Sequence, residues 1–285
     1  MLKIMIVGNS HSNDAFWLLH DAFRDQLPEQ ELTLGIMYYS GCSITRHITF
    51  TKEKQNVYRY YKNTGGPWVI QKEVTMEVGL QDENWDVVML QAAKTDLDDT
   101  LNLVGRRELE GIIAQNVPRP YTLMWHTSWP SPNDPTFFSE DYVVQPPKGY
   151  QANLQRLYGH DPFNQFTVLT EKAKSHILTD STYEKAICTG AGILNAYATQ
   201  GIPQTKIWRD YTHLGDFGRL IAAYSFYTQF TGKPVDEIRM NSLPDFMRYA
   251  RYQALGDMEI TEEMKKIIIT AANHALQDPW TVPAK

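Results

Sequence analysis

Short apolar runs alternate with longer stretches of helical periodicity along most of this chain. The apolar runs that are short enough to be buried strands lie at 2–7, 32–39, 86–91, 121–126 and 185–188. The segments with the period of an amphipathic helix lie at 14–26, 101–115, 163–177, 193–200 and 217–231. This alternation is typical of βαβ units, in which helices cover both faces of a parallel sheet. The pattern predicts an α/β protein, a three-layer α/β/α sandwich with a mainly parallel sheet.

Two stretches within one predicted domain at 1–232 depart from the alternation, and a C-terminal extension follows the domain. Residues 57–72 carry aromatic and β-branched arms around "NTGG", which predicts a β-hairpin insertion. Residues 128–150 hold five prolines and predict a long loop, which in a compact domain is usually functional or poorly ordered. The tail at 233–285 is predicted to be a helical extension packed on the same domain, with a helix stopped by Asp278 and the proline after it.

Charge and cysteine content argue against several classes of function. The 285-residue chain has a formal net charge of −6, which gives no electrostatic reason to bind nucleic acid or anionic lipid. Cys42 and Cys188 are too few for a disulfide framework or a four-ligand zinc site; two semi-buried thiols are expected, with a single disulfide as the alternative. No apolar run reaches the roughly 18 residues of a membrane span. The N-terminus is interpreted as a strand rather than a signal peptide, so a cytoplasmic protein is expected, or a periplasmic or secreted one if a leader has been removed.

A serine stands at the junction of the first predicted strand and the first predicted helix. Ser10 lies in "IVGNSHSND", flanked by Asn9 and His11. Ligands gather at the carboxyl ends of parallel strands, and a helix N-terminus favours developing negative charge there. Two interpretations follow: Ser10 is a nucleophile, or Ser10 or Ser12 caps the helix.

The last predicted helix of the domain is preceded by an acid and a histidine. Asp210 and His213 lie three residues apart in "WRDYTHLGDFGRLIAAYSFY". A tight turn would let the carboxylate bind one ring nitrogen, fix the tautomer and stabilise the imidazolium. The other nitrogen could take the proton of Ser10, whose hydroxyl is otherwise too weakly acidic to attack an ester. The pair alone also fits a helix cap with a solvated histidine, whereas the pair and the serine together indicate a Ser-His-Asp triad.

These blocks resemble those of the SGNH (GDSL-type) hydrolases. "VGNSHS" is similar to the nucleophile block of that superfamily, and "DYTHLGDFGRLIAA" is similar to its final Asp-x-x-His-Leu block. "GCSI", "YYKNTGGPW" and "WDVVMLQ" resemble a mostly uncharacterised bacterial branch, "ICTGAGILNA" matches a Gly-Ala segment before the final block, and the resemblance runs from residue 2 to about residue 228. It implies a flavodoxin-like hydrolase fold in which Ser10 is the nucleophile, His213 the base and Asp210 its orienting partner.

The resemblance also implies which groups would bind the oxyanion. Ser10 would donate through its own N–H, and Gly41 of "SGCSI" matches the family glycine whose N–H is the second donor, although Gly41 also fits an ordinary turn. The third donor of the superfamily, the asparagine of Gly-x-Asn-Asp, has no counterpart in "LQAAKTD". Gln91 or Thr95 would have to replace it, and Gln91 is favoured because the related branch carries the same Leu-Gln.

Other side chains are candidates for contacts with the substrate, although packing within the protein is an alternative for each. The histidine candidates are His11, which follows Ser10, and His126, which ends the fourth predicted strand. The aromatic candidates for a stacking wall are Tyr58, Tyr60, Tyr61, Trp68, Trp125 and Trp129. A metal site is conceivable from His11, His126, His213 and Asp210, but no His-x-x-x-His helix or cysteine pair supports it. Neither a metal nor another cofactor is predicted.

The sequence therefore predicts a serine esterase that works through an acyl-enzyme. The predicted substrate is a small ester, such as an O-acetyl group on a carbohydrate, by analogy with the superfamily. One alternative is a catalytically eroded protein that binds a glycan without cleaving it, because the usual oxyanion asparagine is missing. Another is a lipid or acyl esterase. The oligomeric state is left open.

Overall fold

The computed structural model of the chain describes residues 1–94, 100–132, 161–244, 247 and 258–283, with only the backbone described at 100–104. The strands are β1 (Leu2–Gly8), β2 (Leu32–Tyr38), β3 (Tyr58–Asn63), β4 (Val69–Val74), β5 (Val87–Gln91), β6 (Thr122–Thr127), β7 (Lys185–Cys188), β8 (Ser242–Leu243) and β9 (Met258–Glu259). The helices are α1 (Ser10–Phe16), α2 (Leu19–Gln26), α3 (Ile44–Lys52), α4 (Met76–Asp82), α5 (Thr100–Asn116), α6 (Pro162–His176), α7 (Gly190–Ala198), α8 (Gln204–Ile207), α9 (Asp216–Thr231) and α10 (Glu262–Gln277).

A seven-stranded sheet in the order β4-β3-β2-β1-β5-β6-β7 forms the centre of the fold. The five strands β2, β1, β5, β6 and β7 are parallel, whereas β3 is antiparallel to both β2 and β4. The strand order reverses at β1, which has β2 on one side and β5 on the other. Ligands of open α/β sheets bind at the carboxyl ends of the strands at such a switch point. The residues that follow β1, β2 and β5 are therefore in the place where a site is expected.

Helices cover both faces of this sheet, so its central strands are buried on both sides. In β1, Ile4 and Ile6 belong to one apolar cluster, and Met5 and Val7 belong to another. The first cluster includes residues of α1, α2, α7, α9 and α10, and the second includes residues of α3, α4, α5 and α6. Burial on both faces explains why the strands read as continuous apolar runs. The predicted three-layer α/β/α class is confirmed.

Several helices differ from the sequence prediction. The helix predicted at 14–26 begins earlier, at Ser10, and the helix is interrupted at Trp17 and Leu18 before α2 begins. The helix α7 begins at Gly190, before the predicted segment 193–200. The helices α3, α4 and α8 were not predicted, and they have nine, seven and four residues. Helical periodicity is recognised most readily over a window of about 11 to 18 residues.

The predicted hairpin consists of β3 and β4, but it extends the central sheet instead of standing apart from it. Because β3 pairs with β2, Tyr58, Tyr60 and Tyr61 become part of the buried core. The half-buried Trp68 stacks on Trp17 with ring centroids 5.4 Å apart. The prediction that these hairpin aromatics form a stacking wall over the site is therefore wrong, since their rings are used in packing within the protein.

The C-terminal segment packs on the same helical layer as α9. The helix α10 contacts both α7 and α9, and β8 pairs with β9. Gly192 of α7 permits this packing, because a Cβ there would lie 2.0 Å from the Ser225 hydroxyl oxygen and 3.2 Å from the Ala271 carbonyl oxygen. The helix ends at Gln277 with Asp278 as its C-cap, at the position predicted from the sequence. The tail thus shares a core with the rest of the chain over its described part.

Three further expectations from the sequence concern membrane spans, the cysteines and the long loop. Among the described residues, none of the helices combines the length and the apolar character that crossing a bilayer requires. Cys42 and Cys188 are buried free thiols. The loop predicted at 128–150 lies outside the described residues from position 133 onward.

Candidate active site

Ser10 is the first residue of α1 and lies directly beyond the carboxyl end of β1. Asn9 forms the turn between the two elements, because its Oδ1 accepts a hydrogen bond from the His11 N–H at 3.0 Å and its Nδ2 donates to the Cys42 carbonyl at 3.3 Å. Since Asn9 caps the helix, the alternative in which a serine is the cap does not describe this turn. The half-buried hydroxyl of Ser10 is directed to His213 instead.

Three side chains that are distant in the sequence meet beside this turn. The Nε2 atom of His213 lies 2.7 Å from the Ser10 Oγ. The Nδ1 atom of the same ring lies 2.8 Å from Asp210 Oδ2 and 3.0 Å from Oδ1. An ionised carboxylate only accepts hydrogen bonds, so Nδ1 carries the proton and Nε2 is left to accept from the serine hydroxyl. The structure therefore brings together the three residues that were predicted as a triad.

The Asp210 carboxylate is also held by the backbone of its own turn. Its Oδ1 accepts hydrogen bonds from the N–H groups of Thr212 at 2.9 Å and His213 at 2.8 Å. Burial would raise the pKa of Asp210, but the hydrogen bond and charge of His213 and the two backbone donors together lower the pKa below its usual value. The carboxylate is thus ionised at neutral pH, as a group that orients a histidine needs to be.

Residues 208–215, called the triad turn below, are closed by backbone contacts. The Arg209 N–H donates to the His213 carbonyl at 2.9 Å. The first turn of α9 passes very close to the residue that precedes this segment, because a Cβ on Gly218 would lie 2.2 Å from the Ile207 carbonyl oxygen. Gly218, the second glycine in "LGDFGRL", is therefore required by the approach of two backbones.

A buried ion cluster fastens the triad turn to α1. The Asp14 carboxylate accepts hydrogen bonds from Arg209 Nη1 at 2.9 Å, from Arg219 Nη2 at 2.6 Å and from the Leu214 N–H at 3.0 Å. Burial raises the pKa of Asp14, but the two arginines outweigh this effect and hold the pKa below its usual range. Because α1 begins at Ser10, the cluster links the helix of the serine to the triad turn.

Gln91 is buried beneath the Ser10 turn, and its placement does not fit the predicted role of oxyanion donor. Its Oε1 accepts hydrogen bonds from the Asn9 N–H at 3.2 Å and from the Ser12 hydroxyl at 2.8 Å. Its amide nitrogen is directed to the Ala92 carbonyl oxygen. The prediction is corrected accordingly: the amide oxygen of Gln91 supports the backbone on which Ser10 lies, and the amide nitrogen is bound to the Ala92 carbonyl.

Gly41 lies on the loop after β2, next to the Ser10 turn. The two segments are joined by a hydrogen bond from the Tyr39 N–H to the Gly8 carbonyl at 3.3 Å. Gly41 has a φ of +57°, and a Cβ there would meet nothing within 4 Å. Glycine is favoured at this position by its left-handed backbone, and the residue is exposed in open space. Thr95, the other candidate for the third donor, lies outside the described residues.

Four residues that were predicted to contact the substrate are buried. Their exposed fractions are 5% for His11, 1% for Trp125, 1% for His126 and 0% for Trp129. Trp125 packs edge-on against Tyr183, in the apolar cluster on the other face of the sheet from Trp129. The Nε2 of His126 lies 2.9 Å from the Thr189 hydroxyl, and burial lowers the pKa of His126 to about 3. The burial of all four side chains does not fit the predicted substrate contacts. Trp125 and His126 lie on β6 between the two helical layers, whereas His11 and Trp129 pack against each other beside the sheet.

His11 and Trp129 instead support the triad turn. The Trp129 indole N–H donates to the Thr212 carbonyl at 2.9 Å. The Nε2 of His11 lies 3.0 Å from the Thr212 hydroxyl, and the imidazole packs edge-on against the indole with ring centroids 5.0 Å apart. Burial, the Lys94 cation and His213 lower the pKa of His11 well below its usual value, so the ring is neutral at pH 7.

Lys94 is a buried residue beside the triad that the sequence analysis did not single out. Its ammonium donates to the hydroxyls of Ser131 at 2.8 Å and Thr212 at 3.2 Å. Burial lowers the pKa of Lys94 to about 7, although the Asp210 carboxylate acts in the opposite direction. Its position offered a signal, since it lies three residues beyond β5, a strand that ends at the same edge of the sheet as β1.

The described part of the chain holds no group of three or more His, Cys, Asp or Glu side chains placed to bind one metal ion. The Nε2 atoms of His11 and His126 face threonine hydroxyls, and His213 faces Asp210 and Ser10. The four residues considered as ligands are therefore engaged in hydrogen bonds within the protein, Asp210 and His213 with each other.

Comparisons with known proteins bear on the fold. The family profile described as a domain of unknown function, DUF4886, matches residues 3–129. The chain is similar to the crystal structure of a DUF4886 family protein from Bacteroides uniformis, with a TM-score of 0.76, 24% sequence identity, and coverage of 99% of this chain and 97% of that chain. None of the curated proteins matches. At this identity the likeness establishes the fold alone, and it does so along nearly the whole chain.

Proposed function

We propose that this chain is a serine hydrolase that cleaves a small carboxylic ester through an acyl-enzyme. The observation that carries the proposal is the 2.7 Å separation of Ser10 Oγ and His213 Nε2, on a ring whose other nitrogen is bound to Asp210. A histidine held in this way accepts the hydroxyl proton as the serine oxygen attacks a carbonyl carbon. The resemblance of the same blocks to SGNH hydrolases supports this assignment.

The proposed reaction has two half-reactions. In the first, Ser10 Oγ bonds to the carbonyl carbon, His213 Nε2 takes the hydroxyl proton, and the N–H groups of Ser10 and Gly41 bind the oxyanion. Asp210 stabilises the imidazolium, which then gives its proton to the leaving alcohol. In the second, a water molecule loses a proton to His213 and attacks the acyl carbon, and the Ser10 oxygen leaves with that proton.

The proposed substrate is a small acyl ester, with an O-acetylated carbohydrate as the first candidate. The carbohydrate part rests on the resemblance, because the aromatics predicted to stack on a sugar are packed inside the protein. Tyr211 is a half-buried aromatic of the triad turn, and its ring centroid lies 6.2 Å from that of His213. Rates on p-nitrophenyl esters of increasing chain length would separate an acetyl esterase, which is fastest on acetate, from a lipid esterase, which prefers long chains.

The substitution Ser10→Ala tests the proposal. Turnover of p-nitrophenyl acetate is expected to fall at least about 10³-fold with the melting temperature unchanged. Ser175→Ala, at an exposed serine of α6, is the matched control and should keep full turnover. A fluorophosphonate is expected to add one adduct at Ser10. Unchanged turnover in Ser10→Ala would overturn the proposal, and so would an adduct found at Ser131, the serine bound to Lys94.

A protein that binds an acylated glycan without cleaving it is the second candidate. The placement of Gln91 favours this candidate, because its amide nitrogen is bound to the Ala92 carbonyl. Among the described residues, the N–H groups of Ser10 and Gly41 are then the two proposed oxyanion donors. Loss of one such donor costs about 3 kcal/mol of transition-state stabilisation. Calorimetric binding of an acetylated glycan without release of acetate, together with no reaction at Ser10, would select this candidate.

A further inference from the structure

We propose that Lys94 is a positioning residue for the triad: its ammonium holds the Thr212 hydroxyl and thereby fixes the triad turn. The inference rests on the proposed hydrolase function and deepens it, since it adds a residue that the resemblance to SGNH hydrolases does not supply. Lys94 occupies the segment after β5 in which that superfamily carries its third oxyanion donor.

Thr212 is the residue through which Lys94 would act. Its backbone N–H donates to Asp210 Oδ1 at 2.9 Å, and its carbonyl accepts from the Trp129 indole at 2.9 Å. Its hydroxyl accepts from Lys94 Nζ at 3.2 Å and lies 3.0 Å from His11 Nε2. All the polar groups of Thr212 are thus bonded, and one of these bonds goes directly to the carboxylate that orients the histidine. A displacement of Thr212 would move that carboxylate.

Lys94 also joins the triad turn to a third segment of the chain. Its ammonium donates to the hydroxyl of Ser131, which follows β6, at 2.8 Å. The Ser131 N–H in turn donates to Gln165 Oε1 of α6 at 2.9 Å. One ammonium therefore connects the segments after β5 and β6 with the triad turn, where these parts of the chain meet at the carboxyl edge of the sheet.

A buried ammonium is a costly way to fill space. Lys94 is 3% exposed, and its pKa of about 7 reflects the loss of solvation. Among the described residues, Asp210 is a carboxylate whose charge acts against this lowering of the pKa. Removing a cation from water destabilises a fold unless ion pairs or hydrogen bonds compensate for the lost solvation. The hydrogen bonds to the hydroxyls of Thr212 and Ser131 are contacts of this kind, and the first of them lies in the triad turn.

Steady-state kinetics on p-nitrophenyl acetate tests the inference in the full-length protein. Lys94→Met and Thr212→Val are each expected to lower kcat about 10- to 100-fold with KM nearly unchanged, because both misplace the triad turn. The double variant is expected to be no slower than the slower single variant, since both changes break the same bond. Thr212→Ser, which keeps the hydroxyl, should restore kcat to within about threefold of wild type. Lys185→Met is the matched control, since Lys185 is part-buried and bound to carbonyls at the end of α9.

The outcomes distinguish this inference from the proposed function. Wild-type kcat in Lys94→Met and Thr212→Val, with turnover abolished in Ser10→Ala, would overturn the inference and leave the hydrolase proposal intact. Losses that multiply in the double variant would overturn it too, because the two residues would then act independently. Turnover retained in Ser10→Ala would overturn both proposals. If Lys94→Met does not fold, the comparison of Thr212→Val with Thr212→Ser decides: equal kcat in these two variants overturns the inference.

Discussion

Asp14 and Arg219 form an ion pair in which both side chains are buried, with Oδ1 of the carboxylate 2.6 Å from Nη2 of the guanidinium. The pair joins α1, which begins at Ser10, to α9, which begins just beyond His213. The contact between the serine hydroxyl and the imidazole is therefore built on a packed helix pair, and its geometry does not depend on the triad turn alone.

Loss of the Asp14 charge is expected to destabilise the fold. Asp14→Asn should lower the free energy of unfolding by about 3–5 kcal/mol, because the buried guanidinium groups of Arg209 and Arg219 lose the carboxylate charge that they share. Urea denaturation measures the effect. Glu108→Gln is the matched control, since the ion pair of Glu108 with Lys52 is exposed and should contribute no more than about 1 kcal/mol. Equal losses in the two variants would contradict the prediction.

Replacement of Gln91 is expected to lower the free energy of unfolding, because its amide oxygen is a buried hydrogen-bond acceptor. Gln91→Met removes the acceptor of the Asn9 N–H and the Ser12 hydroxyl, and leaving such buried donors unpaired should cost about 1–3 kcal/mol. Chemical denaturation checks this, with Gln81→Met on the exposed side of α4 as the control. A third oxyanion donor would behave differently: its loss would lower kcat about 10²- to 10³-fold at unchanged stability.

Asp210 is expected to act through the tautomer of His213. In Asp210→Asn an amide can present a donor to Nδ1, which favours the tautomer that cannot accept the serine proton. The expected loss in kcat on p-nitrophenyl acetate is on the order of 10³- to 10⁴-fold. Asp236→Asn, at an exposed position, should have full activity. A kcat within tenfold of wild type in Asp210→Asn would mean that the carboxylate does not set the tautomer.

Local sequence patterns predicted the parallel strands well because burial on both faces of the sheet is the main constraint on their residues. The bounds of β1, β2, β5, β6 and β7 agree with the predicted runs to within one residue at each end. A strand buried on both faces is apolar throughout, and the helices between such strands identify the parallel connection. The hairpin shows the limit of this reasoning: its residues indicate two strands, but the sequence does not say that β3 pairs with β2 and buries Tyr58.

The polar residues of the site were harder to place, because their burial depends on partners far along the chain. Ser10 and the Asp210–His213 pair were predicted from their position beside a strand end and from their spacing. Asp14 was not, because its partner Arg209 is 195 residues away and a carboxylate on a helix is ordinarily exposed. Lys94 was missed because its partner Thr212 is also far along the chain, 118 residues away.

Replacement of Gly8 by a larger residue is expected to destabilise the fold, because the space beside its Cα is already occupied. A Cβ there would lie 2.1 Å from Ser12 Oγ and 2.7 Å from Gln91 Oε1. Gly8→Ala should therefore destabilise the fold by about 1–3 kcal/mol. Gly111→Ala in α5, where a Cβ meets nothing within 4 Å, should instead stabilise it by about 0.5–1 kcal/mol. Melting temperatures of the two variants that shift in the same direction would contradict this account.

The titration of Lys94 is expected to make a pH-dependent contribution to the free energy of unfolding. Burial lowers its pKa from 10.5 to about 7 in the folded protein. Below about pH 7 the folded and unfolded chains both bind the proton, so the full cost of burying the ammonium opposes folding. Between about pH 7 and 10.5 only the unfolded chain binds the proton, and this contribution to the free energy of unfolding therefore rises with pH.

Comparison of the wild type with Lys94→Met isolates this contribution from those of all other groups. Urea denaturation of both proteins at pH 6, 7, 8, 9 and 10 would give the difference in free energy of unfolding at each pH. The difference, wild type minus variant, is expected to be nearly constant from pH 6 to about 7 and then to increase up to pH 10, because methionine has no proton to lose. A difference that stays flat from pH 6 to pH 10 would mean that Lys94 titrates near its ordinary pKa and that burial does not lower this pKa in the folded protein.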